Sequence, residues 1–299
     1  MKRGLLFAAA VFVFLGACST SVSVQTAPSP AVPKFSHVLV IVLENKDYGE
    51  VVGNPKAPHI NALAKNYALL TDFYSIRHPS LPNYIAMIGG DTFGIAEDCT
   101  DCFVNAKSLP DLLEAAGRTW KTYQEGLPSA GFTGTSSGLY VIRHNPFLYF
   151  DPIRKDAERL RRSVVPLPEL DRDLSEGRLP DYAFIMPDLC HSSHDCGLDA
   201  ADRWLEEWTK KILAAPAFDR NSLLVVTFDE GSEPLDPSAR ANGGRIATIL
   251  VSPLVVPGFR DATRYTHYSV LKTIAEAWGL EKLRRAADPG TKTIIAPWR

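Results

Sequence analysis

Residues 37–45 read HVLVIVLEN, an unbroken apolar run that ends in an acid and an amide. A strand with one face in water would alternate polar and apolar residues. A continuous run of this length instead marks a strand buried on both faces, which requires helices above and below it. Working outward, the same logic identifies further strands in TWKTYQE (119–125), DYAFIMPD (181–188), SLLVVTFDEG (222–231) and RIATILVSP (245–253), with LLTDFYSI (69–76) as another. Between them lie helical segments. PHINALAKNYA follows the first strand, PNYIAMIGG ends on glycine, and SLPDLLEAAG begins with a serine cap. DAADRWLEEWTKKILAAP has the most regular amphipathic spacing, and HYSVLKTIAEAWGL comes last. This alternation predicts an α/β fold, a three-layer α/β/α sandwich with a mostly parallel central sheet. The Gly-, Pro- and Arg-rich stretch 126–180 reads as an insertion or cap over that sheet.

Open α/β sheets collect their chemistry beyond the carboxyl ends of the strands. Three apolar runs here end in acids: Glu44-Asn45, Pro187-Asp188 and Asp229-Glu230. Carboxylates converging on one edge repel unless a cation offsets them, so a divalent metal is expected. Oxygen ligands suit Mg, Ca or Mn, and added histidines shift the preference toward Zn or Fe. Of the seven histidines, His194 and His267 sit in loops near such strand ends and are the candidate functional ones. His37 and His144 read as structural. In HPSLPNY (78–84) Ser80 reads as the N-cap of the next helix, a position that also aims helix N–H groups at an anion. Beside a metal, such a serine becomes a nucleophile. Arg245 begins a strand, where it either reaches a phosphate or serves the fold.

With 299 residues, 45% of them hydrophobic, the chain can bury one large core, and its net charge of −2 with no dense basic stripe argues against nucleic acid. The first residues, MKRGLLFAAAVFVFLGAC, give two cations, then an apolar run too short to span a bilayer comfortably, then Leu-Gly-Ala-Cys. This resembles a lipoprotein signal peptide over residues 1–17, with Cys18 lipidated and anchoring the chain to the bacterial cell envelope; a plain secretory peptide is the alternative. Residues 18–34 then form a flexible Ser/Thr/Pro-rich tether, and 35–299 the folded domain. Cys99, Cys102, Cys190 and Cys196 remain, an even number that suits two disulfides in an exported chain. Three connectivities are open, and the local pairs 99–102 and 190–196 are expected. Cys99-Thr-Asp-Cys102 alternatively reads as a zinc or redox motif, although no second CxxC accompanies it.

Six blocks, LENKDYGE, HPSLPNY, MPDLCHSSHDCG, VVTFDEGS, GGRIATILVSP and THYSVLKTIAEAWG, together resemble the phosphoesterase family of bacterial and fungal acid phosphatases and phospholipases C. That family lies within the alkaline phosphatase superfamily. The resemblance covers about His37 to Leu280. It implies that Glu44, Asn45, Ser80, Asp229 and Glu230 hold metal, that Ser80 is the nucleophile, and that Asn83 hydrogen-bonds a phosphoryl oxygen. His194-Asp195 and His267 match the family's later histidine positions, with His194 or His267 binding a second metal or protonating the leaving group. Asp188 and His191 are secondary candidates, because relatives often carry asparagine there. Glu-Asn and Asp-Glu stand where alkaline phosphatases have Asp and Asp-His, so this cluster is richer in oxygen, and one metal or a different metal is expected in place of a full two-zinc site.

The function expected from the resemblance is hydrolysis of small phosphate monoesters through a phosphoserine. Two rivals stand beside it: a phospholipase C or other phosphodiesterase, and a lipid-anchored solute-binding protein. The second would have no use for Ser80 among clustered acids.

Overall fold

The computed structural model describes Met1, residues 31–232 and residues 242–299. The expected signal peptide, Cys18 and residues 18–30 of the tether lie outside the described residues. An eight-stranded sheet runs through the domain in the order Arg260–Asp261, Ala68–Leu70, Thr248–Val251, Leu223–Phe228, Val38–Leu43, Tyr182–Met186, Trp120–Gln124 and Val164–Pro166. Neighbours are parallel except at Thr248–Val251, which is antiparallel to both strands beside it.

Every residue of Val38–Leu43 and Leu223–Phe228 is buried, as a continuous apolar run in a covered parallel sheet requires. Each such Val, Leu or Ile contributes roughly 1.5–3 kcal/mol on burial. Helices Pro58–Asn66, Pro168–Ser175 and Leu198–Ala214 form one packed group, and Ser80–Gly89, Leu109–Ala115 and His267–Trp278 another. With the sheet between them the fold is a three-layer α/β/α sandwich. No helix among the described residues is long and apolar enough to cross a membrane.

Register aligns the functional edge. Leu43 pairs with Phe228, so Glu44 and Asp229 leave the sheet side by side. Ile41 pairs with Ile185, which carries Asp188 to the same level, and Gln124 pairs with Met186, which brings Glu125 there too.

Stretch 126–180 is only partly an insertion. Val164–Pro166 joins the sheet as an edge strand beside Trp120–Gln124, and Pro168–Ser175 joins a helix layer. A three-residue strand ending in proline is too short for its periodicity to register, and an edge is where proline is tolerated. Residues before it pass over the carboxyl edge through a small hairpin, Ser136–Ser137 with Tyr140–Val141, and a 3-10 turn, Ile142–His144. The two disulfides are the local ones, Cys99–Cys102 and Cys190–Cys196.

Candidate active site

Ser80 is the first residue of helix Ser80–Gly89 and does not cap it; Pro79 occupies the cap position. This corrects the expectation from sequence. The Leu81 N–H that a cap would have satisfied donates instead to Asp98 Oδ1 at 2.9 Å. Pro82 is tolerated in the first turn because its missing N–H has no helical partner to lose. Ser80 Oγ donates to Glu44 Oε2 at 3.1 Å and lies 3.4 Å from Glu230 Oε1.

Asn83 folds the approach to this serine. Its Oδ1 accepts from the N–H groups of Ile76 (2.9 Å) and Arg77 (3.2 Å). Its Nδ2 donates to the Arg77 and Pro79 carbonyls and lies 3.4 Å from Glu230 Oε2. The amide is thus committed to the loop that presents Ser80, rather than to an open phosphate position. His78, two residues before Ser80, brings Nδ1 to 3.0 Å from Glu230 Oε2.

Glu44, Asp229 and Glu230 are almost wholly buried. Asp229 Oδ1 accepts from the N–H groups of Asn45 (3.1 Å) and Glu230 (2.6 Å). Asn45 makes that bond with φ at +48°, a left-handed turn that asparagine adopts more readily than most residues. Gly231 closes the same corner, where a Cβ would collide with Asp47 Oδ1. Burial, and then the charge of Asp229, raises the pKa of Glu44 well above the carboxylate range, and burial raises that of Asp229 to about 7. Asp229 Oδ2 and Asn45 Oδ1 are buried acceptors with no donor. Crowded buried acids with orphaned oxygens are an arrangement that a divalent ion satisfies. Glu44, Asn45, Ser80, Asp229 and Glu230 bring only oxygen donors to this corner, the donor type that a hard divalent ion takes.

Glu125, Asp188 and His191 form a second group among the described residues, with ligand atoms within 4.8 Å of one another. Glu125 was not visible as a candidate in the sequence. Here His191 Nδ1 already lies 3.1 Å from Glu125 Oε1 and 3.5 Å from Asp188 Oδ1, and all three are partly exposed.

The remaining histidines divide. His194 is exposed, with Nδ1 2.6 Å from Asp195 Oδ1, and its ring lies 6.0 Å from that of His144. His144, read from sequence as structural, is buried, with Nε2 3.2 Å from Glu44 Oε1. His267 is buried, and its Nε2–H donates to the Asp229 carbonyl at 2.7 Å. Burial lowers its pKa to about 4, so it stays neutral. Arg245 turns away from Ser80: its Nε donates to the Thr71 carbonyl at 2.7 Å and its guanidinium covers the Tyr48 ring at 3.9 Å. Arg143, beside His144, lies 3.5 Å from Asp98 Oδ2 and so joins the group around the helix start.

The family model described as "Phosphoesterase family" matches residues 54–281. The chain belongs to the phosphoesterase family. This phosphoesterase is 33% identical over 262 residues to an acid phosphatase of Aspergillus fumigatus, covering 84% of this chain and 56% of that protein. It is 34% identical over 268 residues to a phosphatidylinositol-3-phosphatase of Mycobacterium tuberculosis, covering 89% and 84% respectively. The chain thus spans little more than half the length of the fungal relative. Among solved structures, an alkaline phosphatase superfamily protein from Vibrio parahaemolyticus matches with a TM-score of 0.60 at 13% identity, over 87% of this chain and 72% of that one. That likeness is one of fold.

Proposed function

We propose that this phosphoesterase hydrolyses phosphate monoesters with a divalent cation and with Ser80 as nucleophile. The observation that carries the reading is Ser80 Oγ held 3.1 Å from Glu44 Oε2 in a buried cluster where Asn45 Oδ1 and Asp229 Oδ2 lack donors. The acid phosphatase and phosphatidylinositol-3-phosphatase relatives support the monoester class.

Glu44, Asn45, Asp229, Glu230 and Ser80 would hold the cation. When bound, it supplies positive charge that lowers the pKa of the serine hydroxyl and offsets charge on the phosphoryl oxygens. Asn83 and the Ile76–Pro79 loop fix the direction of Oγ. Ser80 Oγ then forms a bond to phosphorus as the ester oxygen departs, leaving a phosphoserine that water hydrolyses. His194, oriented by Asp195, protonates the departing oxygen at the mouth of the site. His267 holds the backbone of Asp229 and takes no proton from substrate. Asp188 and His191 sit one strand away with Glu125 and take no part in this step.

The two disulfides fit an exported protein. We place its attachment to the bacterial cell envelope at lipidated Cys18, which metabolic labelling with a radioactive fatty acid, with Cys18→Ala as the blank, would test.

The functional experiment is a phosphatase assay on chelated protein with Mg²⁺, Ca²⁺, Mn²⁺ or Zn²⁺ added back singly, on both p-nitrophenyl phosphate and its bis-ester. Restored monoester turnover is expected. Preferential turnover of the diester would favour a phosphodiesterase, and binding of ester without consumption would favour a solute-binding protein.

A further inference from the structure

The two oxygens of Glu44 have separate duties. Oε2 faces Ser80, whereas Oε1 accepts a hydrogen bond from the Tyr84 hydroxyl. Tyr84 lies four residues after Ser80 in the same helix, so one helix face presents both the nucleophile and this donor to one carboxylate. Tyr84 is fully buried. Its oxygen also lies 3.5 Å from Met186 Sδ, so strand Tyr182–Met186 backs it. On the other side the buried His144 ring packs against the same carboxylate, with Nε2 3.2 Å from Oε1 but off the line of a good hydrogen bond. The His144 ring lies 5.4 Å from the Tyr84 ring.

We infer that Tyr84, backed by His144, is a positioning residue that holds Glu44 Oε1 and so leaves Oε2 as the single oxygen offered to the cation and to Ser80. A carboxylate with both oxygens unheld would rotate about its terminal bond and alternate between one-oxygen and two-oxygen contact. A phenol at Oε1 removes that freedom. Outer partners of this kind typically govern metal affinity by about 10- to 100-fold when removed. His144 comes from the crossing segment 126–150, so that segment is tied to the acid as well as passing over it.

The inference rests on the cation reading above, and the test separates the two. Chelated full-length wild type and Tyr84→Phe are titrated with Mn²⁺ by calorimetry, and kcat, KM and cation-free melting are measured on both. Wild type is expected to bind. The variant is expected to bind about 10- to 100-fold more weakly, with kcat reduced at matched Mn²⁺, KM little changed and cation-free melting within a few degrees of wild type. Wild type that binds no cation and needs none for turnover overturns the functional reading and this inference with it. Wild type that binds, beside a Tyr84→Phe variant of equal affinity and kcat, overturns the inference alone. Should Tyr84→Phe fail to fold, His144→Ala against His144→Gln carries the same test. Gln restores a planar polar group of similar reach beside Oε1 and is expected to recover affinity lost in Ala; equal, undiminished affinity in both overturns the inference.

Discussion

Ser80 Oγ and Glu44 Oε2 stand 3.1 Å apart although 36 residues separate them in the chain. Strand Val38–Leu43 delivers one and the start of helix Ser80–Gly89 delivers the other. Their meeting turns a row of acids at a sheet edge into a site with a nucleophile in it, and the following expectations grow from that meeting.

Proton donation to the leaving group should depend on the leaving group. His194→Ala is expected to lower kcat by about 10²- to 10⁴-fold for an alkyl phosphate, whose alkoxide needs a proton. For p-nitrophenyl phosphate, whose phenolate departs unaided, the loss should be far smaller. Asp195→Asn should follow the same pattern more weakly. A loss equal for both esters would remove His194 from the acid role.

The cation should matter more to stability at neutral than at acid pH. Glu44 and Asp229 have raised pKa values, that of Asp229 about 7, so the cation-free folded chain holds protons that the unfolded chain releases near pH 4. Their contribution is present below about pH 4 and is lost as pH rises through the raised values, about 7 for Asp229. His267, lowered to about 4, works in the opposite sense. Its contribution is present above the ordinary histidine value of about 6.5 and is lost as pH falls toward 4. A cation replaces the protons on the acids, so its increment in melting temperature should grow from pH 5 to pH 7.5. Melting curves with and without Mn²⁺ at the two pH values check this; an increment larger at pH 5 would contradict it.

Away from the site, Asp202 caps a helix of another segment. Its carboxylate accepts from the N–H groups of His59 at 3.0 Å and Ile60 at 2.8 Å, at the start of helix Pro58–Asn66. Asp202→Ala is expected to cost about 1–3 kcal/mol in urea unfolding, with kcat unchanged.

Arg245→Gln should reduce stability by about 1 kcal/mol through lost bonds to Thr71 and lost contact with Tyr48, and should leave KM unchanged. A several-fold rise in KM would return Arg245 to the substrate.

Much of this arrangement was legible from strand ends alone. Continuous apolar runs located Glu44, Asp188 and Asp229, because a strand buried on both faces delivers its last residue to a predictable edge. Ser80 was legible as important but not as to how, since whether a serine caps a helix or begins it depends on which side chain arrives from elsewhere. Asp98 arrives here and takes the Leu81 N–H. His144 and Glu125 were hidden for the same reason: one comes from a segment without periodicity, and the other follows a strand whose last residues are polar. Tyr84 lay within HPSLPNY, and its spacing of four from Ser80 was a signal that was present but unused. For Arg245 and Asn83 the sequence left the partners open, because a polar side chain near a sheet edge has backbone carbonyls and N–H groups competing for it.

The most direct test of the central claim is p-nitrophenyl phosphate turnover by Ser80→Ala at the cation concentration that saturates wild type. Ser80 as nucleophile requires a loss of at least about 10³-fold in kcat with the fold retained. Turnover within a few-fold of wild type would contradict the account.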